Sequence, residues 1–269
     1  MTSATYRVTI VKYGERTTRK SDVYLNHHVY GEHDDPIGMD YFFWVLQNAD
    51  RTIIVDTGFS KHGGEVRNRT FGIDPARAYA ALGVRPDAAP DVIVTHAHYD
   101  HIGNLGLFPT STLVIAKREL DFWTGPLATR KQFHYSVEDD EIASLVAADK
   151  EGRVRTYQDS LELAPGVTVL ELGGHTPGLS VVLVDTDEGT VLLASDSMHY
   201  YEELEADMPF AFVADLPAMY TGFDTITELV SSGRVAHLVS GHDPSTLSRF
   251  TPVTDGELAG IAATIGSLA

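Results

Sequence analysis

The chain has 269 residues, 43% of them hydrophobic and 22% charged, which is ordinary for a globular protein long enough to bury a large core. A formal net charge of −18 argues against a nucleic-acid partner, which would draw on Lys and Arg, and the absence of cysteine excludes disulfides and thiolate metal sites. No apolar run approaches the roughly 18 residues of a membrane span and the amino terminus lacks a secretory apolar segment, so a cytoplasmic protein with no membrane partner is expected.

Residues 6–13 alternate and are rich in β-forming side chains, which predicts a strand. Residues 41–47 and 52–56 predict two more, joined as a hairpin by the turn residues 48–51. Asp74 as N-cap, Pro75 at the first helical position and Gly83 at the end predict a short helix. The apolar run 91–94 reads as a buried strand, 112–116 as another, 117–123 as helix, and helical spacing returns over 138–148. Residues 154–157, 167–172, 180–185 and 190–195 predict a second set of strands. Beyond them come a helix at 216–230, a strand at 235–240 and a closing helix at 255–268. With no low-complexity linker and no short repeat, residues 1–269 are expected to form one α/β domain.

Directly after the run 91–94, Thr95-His96-Ala97-His98-Tyr99-Asp100-His101 packs three imidazoles and a carboxylate into six positions. Burying such groups is costly unless something coordinates them, and neutral imidazole nitrogen with carboxylate oxygen suits zinc, iron or manganese. Alternation along an extended chain puts His96 and His98 on one side, and the following turn brings Asp100 and His101 to an adjacent position. One loop can therefore serve two metal ions.

Further ligand types stand at later strand ends. His175 lies in Gly173-Gly174-His175-Thr176-Pro177-Gly178, and His242 in Ser240-Gly241-His242-Asp243-Pro244. Asp196, in Ser195-Asp196-Ser197, either caps a helix or binds a cation. Asp56, in Asp56-Thr57-Gly58, is a candidate partner for a ligating imidazole. His33, His62 and His237 are expected at the surface, whereas His27, His28 and His134 fall in segments expected to flank a cleft.

Together these segments resemble the metallo-β-lactamase superfamily, with His96-Ala97-His98-Tyr99-Asp100-His101 as its HxHxDH motif and His175, Asp196 and His242 following in order. The resemblance implies a four-layered αββα sandwich with a dinuclear site at one edge. By position, His96, His98 and His175 would hold one metal, Asp100, His101 and His242 the other, and Asp196 would bridge them. The implied cofactors are two divalent transition-metal ions, zinc first, with iron or manganese as alternatives.

Within the superfamily the chain is similar to the N-acyl homoserine lactonase group, through Asp40-Tyr41-Phe42-Phe43-Trp44, the stretch 51–58 and Gly174-His175-Thr176-Pro177-Gly178. This implies a quorum-quenching lactonase, commonly a homodimer, that opens an acylated or aryl lactone by attack of a metal-bridging hydroxide. Asp100 would carry the proton to the leaving group. Lactonases of this type carry a tyrosine three residues after the bridging aspartate; here that position is His199, followed by Tyr200 and Tyr201, so either His199 or Tyr200 stands in for it.

The loop 26–39, Phe42-Phe43-Trp44, Phe133-His134-Tyr135 and Met208-Pro209-Phe210 are expected to line a pocket for a hydrophobic part of the substrate. Alternatives on the same cage are a glyoxalase II-like thioester hydrolase or another ester or phosphodiester hydrolase. A di-iron redox protein is disfavoured, since such proteins usually carry a carboxylate where this chain has His98.

Overall fold

The computed structural model describes residues 4–268. In chain order its strands are β1 (Arg7–Arg19), β2 (Pro36–Gln47), β3 (Thr52–Val55), β4 (Thr70–Phe71), β5 (Asp91–Ile93), β6 (Leu113–Ala116) and β7 (Val154–Tyr157). They continue with β8 (Ser160–Ala164), β9 (Val167–Glu171), β10 (Ser180–Thr186), β11 (Gly189–Leu193), β12 (His237–Val239), β13 (Thr251–Pro252) and β14 (Ala262–Ile265). One sheet runs β13-β14-β1-β2-β3-β5-β6-β7, with β4 also paired to β1, and the other runs β12-β11-β10-β9-β8.

Strand alternation sorts the apolar residues into layers. Val8, Ile10, Phe42, Trp44, Leu46 and Val55 from the first sheet meet Val167, Val169, Val182, Val184, Val191 and Leu193 from the second, and this is the core between the sheets. The intervening residues of the first sheet, Val11, Tyr13, Phe43, Val45 and Ile54, face outward onto Tyr79, Leu120 and Leu145 of the helices Pro75–Ala81, Lys117–Trp123 and Asp139–Lys150. On the far side Val181, Leu183 and Leu192 pack against Ile226 and Leu229 of the helix Leu216–Ser231. The result is the αββα sandwich expected.

Several local expectations hold for the reasons given. Trp44↔Val55 through Gln47↔Thr52 form the hairpin. Asp74 caps Pro75–Ala81 by accepting from the Ala76 amide, as an N-cap carboxylate does.

Others are corrected. Residues 154–157 do not join the second set of strands, because β7 pairs in parallel with β6 in the first sheet. The closing helix over 255–268 is absent: Gly256–Leu258 forms a single 3-10 turn, and β14 pairs antiparallel with β1 from Val8↔Ile265 to Val11↔Ala262. The unpaired edge of β1 offers a ladder of hydrogen bonds, while glycines at 256, 260 and 266 lower the helix propensity of the segment. Phe42, Phe43 and Trp44 do not line the cleft expected of them; all three are at most 2% exposed within the two cores. Among the described residues no helix is long and apolar enough to cross a membrane.

Candidate metal centre and its cavity

The site is assembled from the carboxyl ends of strands. β3 and β5 are parallel neighbours (Val55↔Ile93), as are β11 and β12 (Leu193↔Val239), so the loops that leave them emerge side by side at one edge of the sandwich. Asp56 and Thr95–His101 come from the first pair, Asp196 and His242 from the second, and the loop after β9 delivers His175. Bonds across the sheets fix them: the Ser180 amide donates to the Thr95 carbonyl (3.0 Å) and the Asp40 amide to the His242 carbonyl (2.9 Å). Gly241 runs so close to the neighbouring loop that a Cβ there would sit 2.5 Å from the Ser195 carbonyl oxygen.

Three overlapping groups of donors result, His96, His98, His175 and Asp196 in one, Asp100, His101 and His242 in another, and Asp196, His199 and His242 in the third, with donor atoms in each within 4.8 Å of one another. Asp196 stands between the first two: its Oδ2 lies 3.2 Å from His175 Nε2 and 3.6 Å from His96 Nε2, and its Oδ1 lies 3.1 Å from His242 Nε2 and 3.3 Å from His101 Nε2. Asp100 Oδ2 is 3.8 Å from His242 Nε2 and 3.9 Å from His101 Nε2. All of these residues are buried. The seven positions named from the sequence as ligands therefore converge.

The orientation of the rings is imposed from behind. His175 Nδ1 is bonded to the Phe212 carbonyl (2.7 Å), His242 Nδ1 to the Asp40 carbonyl (2.8 Å) and His101 Nδ1 to Asp56 Oδ2 (2.7 Å). A ring that donates through Nδ1 presents a lone pair at Nε2, the arrangement of metal-ligating histidines. Asp56, fully buried, also accepts from the Thr95 amide (2.8 Å) and hydroxyl (2.7 Å), as its sequence context suggested.

Electrostatics point the same way at His96, His98 and His175, whereas at His101 burial pulls the imidazole down but Asp196, Asp56 and Asp100 outweigh it and raise it well above the usual range. Burial, reinforced by the neighbouring rings, holds His96 and His98 well below the usual imidazole range, and burial lowers His175 to about 3 against the pull of Asp196. These rings are neutral electron-pair donors at neutral pH. Burial also opposes charge on Asp196, but His199, His242, His101 and His96 outweigh it and hold its carboxyl well below the ordinary value. His96 Nε2 and His101 Nε2 are buried without hydrogen-bond partners. Orphaned ring nitrogens around an ionised carboxylate are the donor set that two divalent cations fit.

The centre forms the floor of a cavity of about 230 Å³. Met39, Tyr41, Tyr99, Tyr135, Phe210 and Phe212 supply its apolar wall, and Arg16, Arg67, Arg69 and Asp22 also line it. Phe210 and Tyr135 thus lie where the sequence put them, and of the loop 26–39 only Met39 contributes. His27 is buried, His28 is exposed and His134 pairs with Asp139; none lines this cavity.

His199 lines the cavity, its ring stacked on Phe210 (3.6 Å between centroids) and its Nε2 3.0 Å from Asp196 Oδ2. Burial pushes its imidazole down, but the Asp196 and Glu203 carboxylates overcome this and raise it to about 9. Tyr200 faces elsewhere, donating to the Gly38 carbonyl (2.9 Å) outside the cavity lining.

Sequence reasoning missed Glu119, which reads as one more surface charge of a short helix. Its carboxylate is fully buried and accepts from the Ala97 amide (2.9 Å), the Gly178 amide (2.9 Å), Trp123 Nε1 (2.7 Å) and the Thr176 hydroxyl (2.7 Å). It thereby ties the His96–His98 loop to the His175 loop. The cavity arginines carried no signal either, since they lie far in sequence from every ligand.

A sequence profile described as the Metallo-beta-lactamase superfamily matches residues 39–242. An N-acyl homoserine lactonase of Bacillus cereus is 25% identical over 223 residues, covering 77% of this chain and 80% of the relative. Among solved structures, a quorum-quenching N-acyl homoserine lactone lactonase superposes with a TM-score of 0.75 at 20% identity, covering 90% of this chain and 95% of that one. A dizinc quorum-quenching lactonase in complex with a product superposes with a TM-score of 0.73 at 18% identity, covering 100% and 97%. With the profile spanning most of the sequence, the chain belongs to the metallo-beta-lactamase superfamily.

Proposed function

We propose that this chain is a single-domain, dinuclear-metal hydrolase that opens the ring of a lactone. The observation that carries the reading is the set of three imidazoles whose Nδ1 atoms are held from behind, so that their Nε2 lone pairs converge on buried Asp196 at the floor of an aromatic-walled cavity. The lactonase relatives support the choice of substrate.

His96, His98 and His175 would hold one divalent ion and Asp100, His101 and His242 the other, with Asp196 between them; this nitrogen and oxygen donor set suits zinc, iron or manganese, and the dizinc lactonase of similar fold supports zinc. When bound, such a pair lowers the pKa of water to about 7 and polarises an ester carbonyl. The aromatic wall excludes bulk water and holds the apolar part of the substrate. Asp100, on the cavity floor, passes a proton to the leaving alkoxide oxygen. Of the two candidates for the missing tyrosine, His199 takes the role of hydrogen-bond donor to the substrate, since the Tyr200 hydroxyl is committed to Gly38.

The test is a panel of lactones and thioesters assayed by proton release and thiol release on zinc-loaded protein. Lactone turnover that Asp100→Asn lowers by about a hundredfold or more is expected. Thioester turnover without lactone turnover would assign the glyoxalase II kind of hydrolase instead.

A further inference from the structure

In a chain with 20 Lys and Arg against 38 Asp and Glu, a half-buried arginine that lines a cavity without a carboxylate beside it calls for explanation. The cavity holds two. Among the described residues the Arg16 side chain makes no hydrogen bond and no ion pair, and its Nε is buried without a partner. Arg69 spends Nε on the Tyr99 hydroxyl (3.1 Å) and Nη1 on the Arg67 carbonyl (2.7 Å), and among the described residues no carboxylate lies within ion-pair distance of it.

Arg67 is the contrast. It is neutralised by Glu138, bonded to the Tyr135 carbonyl (2.8 Å) and laid over the Tyr99 ring at 4.1 Å. Asp22, the lining carboxylate outside the metal-donor groups, accepts from the Thr18 hydroxyl (2.7 Å) and reaches neither Arg16 nor Arg69.

Strand pairing explains why the two guanidinium groups without a counter-ion are neighbours. β1 and β4 pair antiparallel through Gly14↔Phe71 and Glu15↔Thr70, so the next step of the register sets Arg16 beside Arg69. Like charges on adjacent strands repel, and a half-buried cation without a counter-ion is costly. Both line the same cavity as Asp100, His175 and Asp196, and both act electrostatically on the Tyr41 and Tyr135 hydroxyls in its wall. A forked guanidinium pair matches a carboxylate or phosphate better than any neutral group.

We propose that Arg16 and Arg69 form a subsite for an anionic oxygen group on the non-reacting part of the substrate, so that the preferred substrate is a small, negatively charged lactone. This rests on the hydrolytic reading above and narrows its substrate class. The cavity volume of about 230 Å³ agrees with a compact substrate, being below the roughly 300–1,000 Å³ of sites that enclose drug-sized ligands.

The experiment compares kcat/KM for γ-butyrolactone, the same ring bearing a carboxylate and the same ring bearing a phosphomonoester, on zinc-loaded wild type, Arg16→Ala and Arg16→Lys. The wild type should prefer at least one charged ring over the neutral one by about tenfold or more. Which charged ring is preferred identifies the anion. Arg16→Ala should erase that preference mainly through KM, and Arg16→Lys should restore part of it. Equal kcat/KM for neutral and charged rings in the wild type, or a preference that survives both variants, overturns the subsite.

Calorimetry with succinate separates this failure from failure of the lactonase reading. If no lactone is turned over, the hydrolytic reading falls, while succinate binding that Arg16→Ala weakens by about tenfold still supports the subsite. Binding equal in both proteins overturns it.

Discussion

Asp56 never touches the cavity, yet it sets the state of the site. Its carboxylate takes the Nδ1 proton of His101 and two donors of Thr95, from a backbone position at φ 59° that an Asn tolerates. Asp56→Asn therefore keeps the backbone and loses the ionised acceptor. The expected outcome is a weakening of metal affinity at the His101 side by about 10–100-fold, read by competition with a chromophoric chelator. Glu119→Gln tests the other hidden carboxylate: an amide in place of an oxygen leaves at least one buried donor unpaired, so unfolding free energy should fall by about 1–3 kcal/mol in a urea titration. His199→Ala should lower kcat on lactones by about tenfold or more, while Tyr200→Phe should change it by less than about threefold. A larger loss in Tyr200→Phe than in His199→Ala would return the donor role to Tyr200.

At this scale the ligands were legible and their supports were not. Three imidazoles and a carboxylate in six positions announce a metal loop because no packing role needs them. Glu119, Arg16 and Arg69 are ordinary surface types whose burial or isolation only the folded chain reveals. Asp56 lay between these cases, visible because it ends a strand.

At the scale of elements, periodicity served where a segment buries one face and failed where pairing decides. The helix Leu216–Ser231 carries its own cap at Asp215 and its own apolar stripe. β14 is short and rich in small residues, and only the open edge of β1 makes it a strand. Phe42, Phe43 and Trp44 looked like a cleft cluster, but alternation sends them to two cores.

The helix Asp139–Lys150 carries a pH prediction of its own. Burial pushes the Glu141 carboxyl from 4.5 up to about 8, with Ser60 hydrogen bonding only partly offsetting it. Between those values the folded chain keeps a proton that the unfolded chain has released, so stability falls as pH rises, by at most about 1.4 kcal/mol per pH unit. Glu141→Gln should remove that slope: from pH 5 to pH 8 the melting temperature of the wild type should drop more than that of the variant. Parallel melting profiles would exclude the raised value.

At the scale of the whole molecule, two sheets meet along one edge and bring together residues from β3 to β12, so the site cannot form before the sandwich does. Ions that bind only the folded chain stabilise it by about 2.7 kcal/mol at a hundred times their dissociation constant. Stripping them with a chelator should lower the melting temperature by about 5–10 °C, reversed by added zinc.

The central claim is that the seven converging His and Asp side chains hold two ions. Elemental analysis of the protein purified after zinc loading and exhaustive dialysis tests it most directly. The expected result is about two transition-metal ions per chain, falling to about one in Asp56→Asn under the same dialysis. One ion or none in the wild type would contradict the dinuclear centre and the hydrolytic chemistry assigned to it.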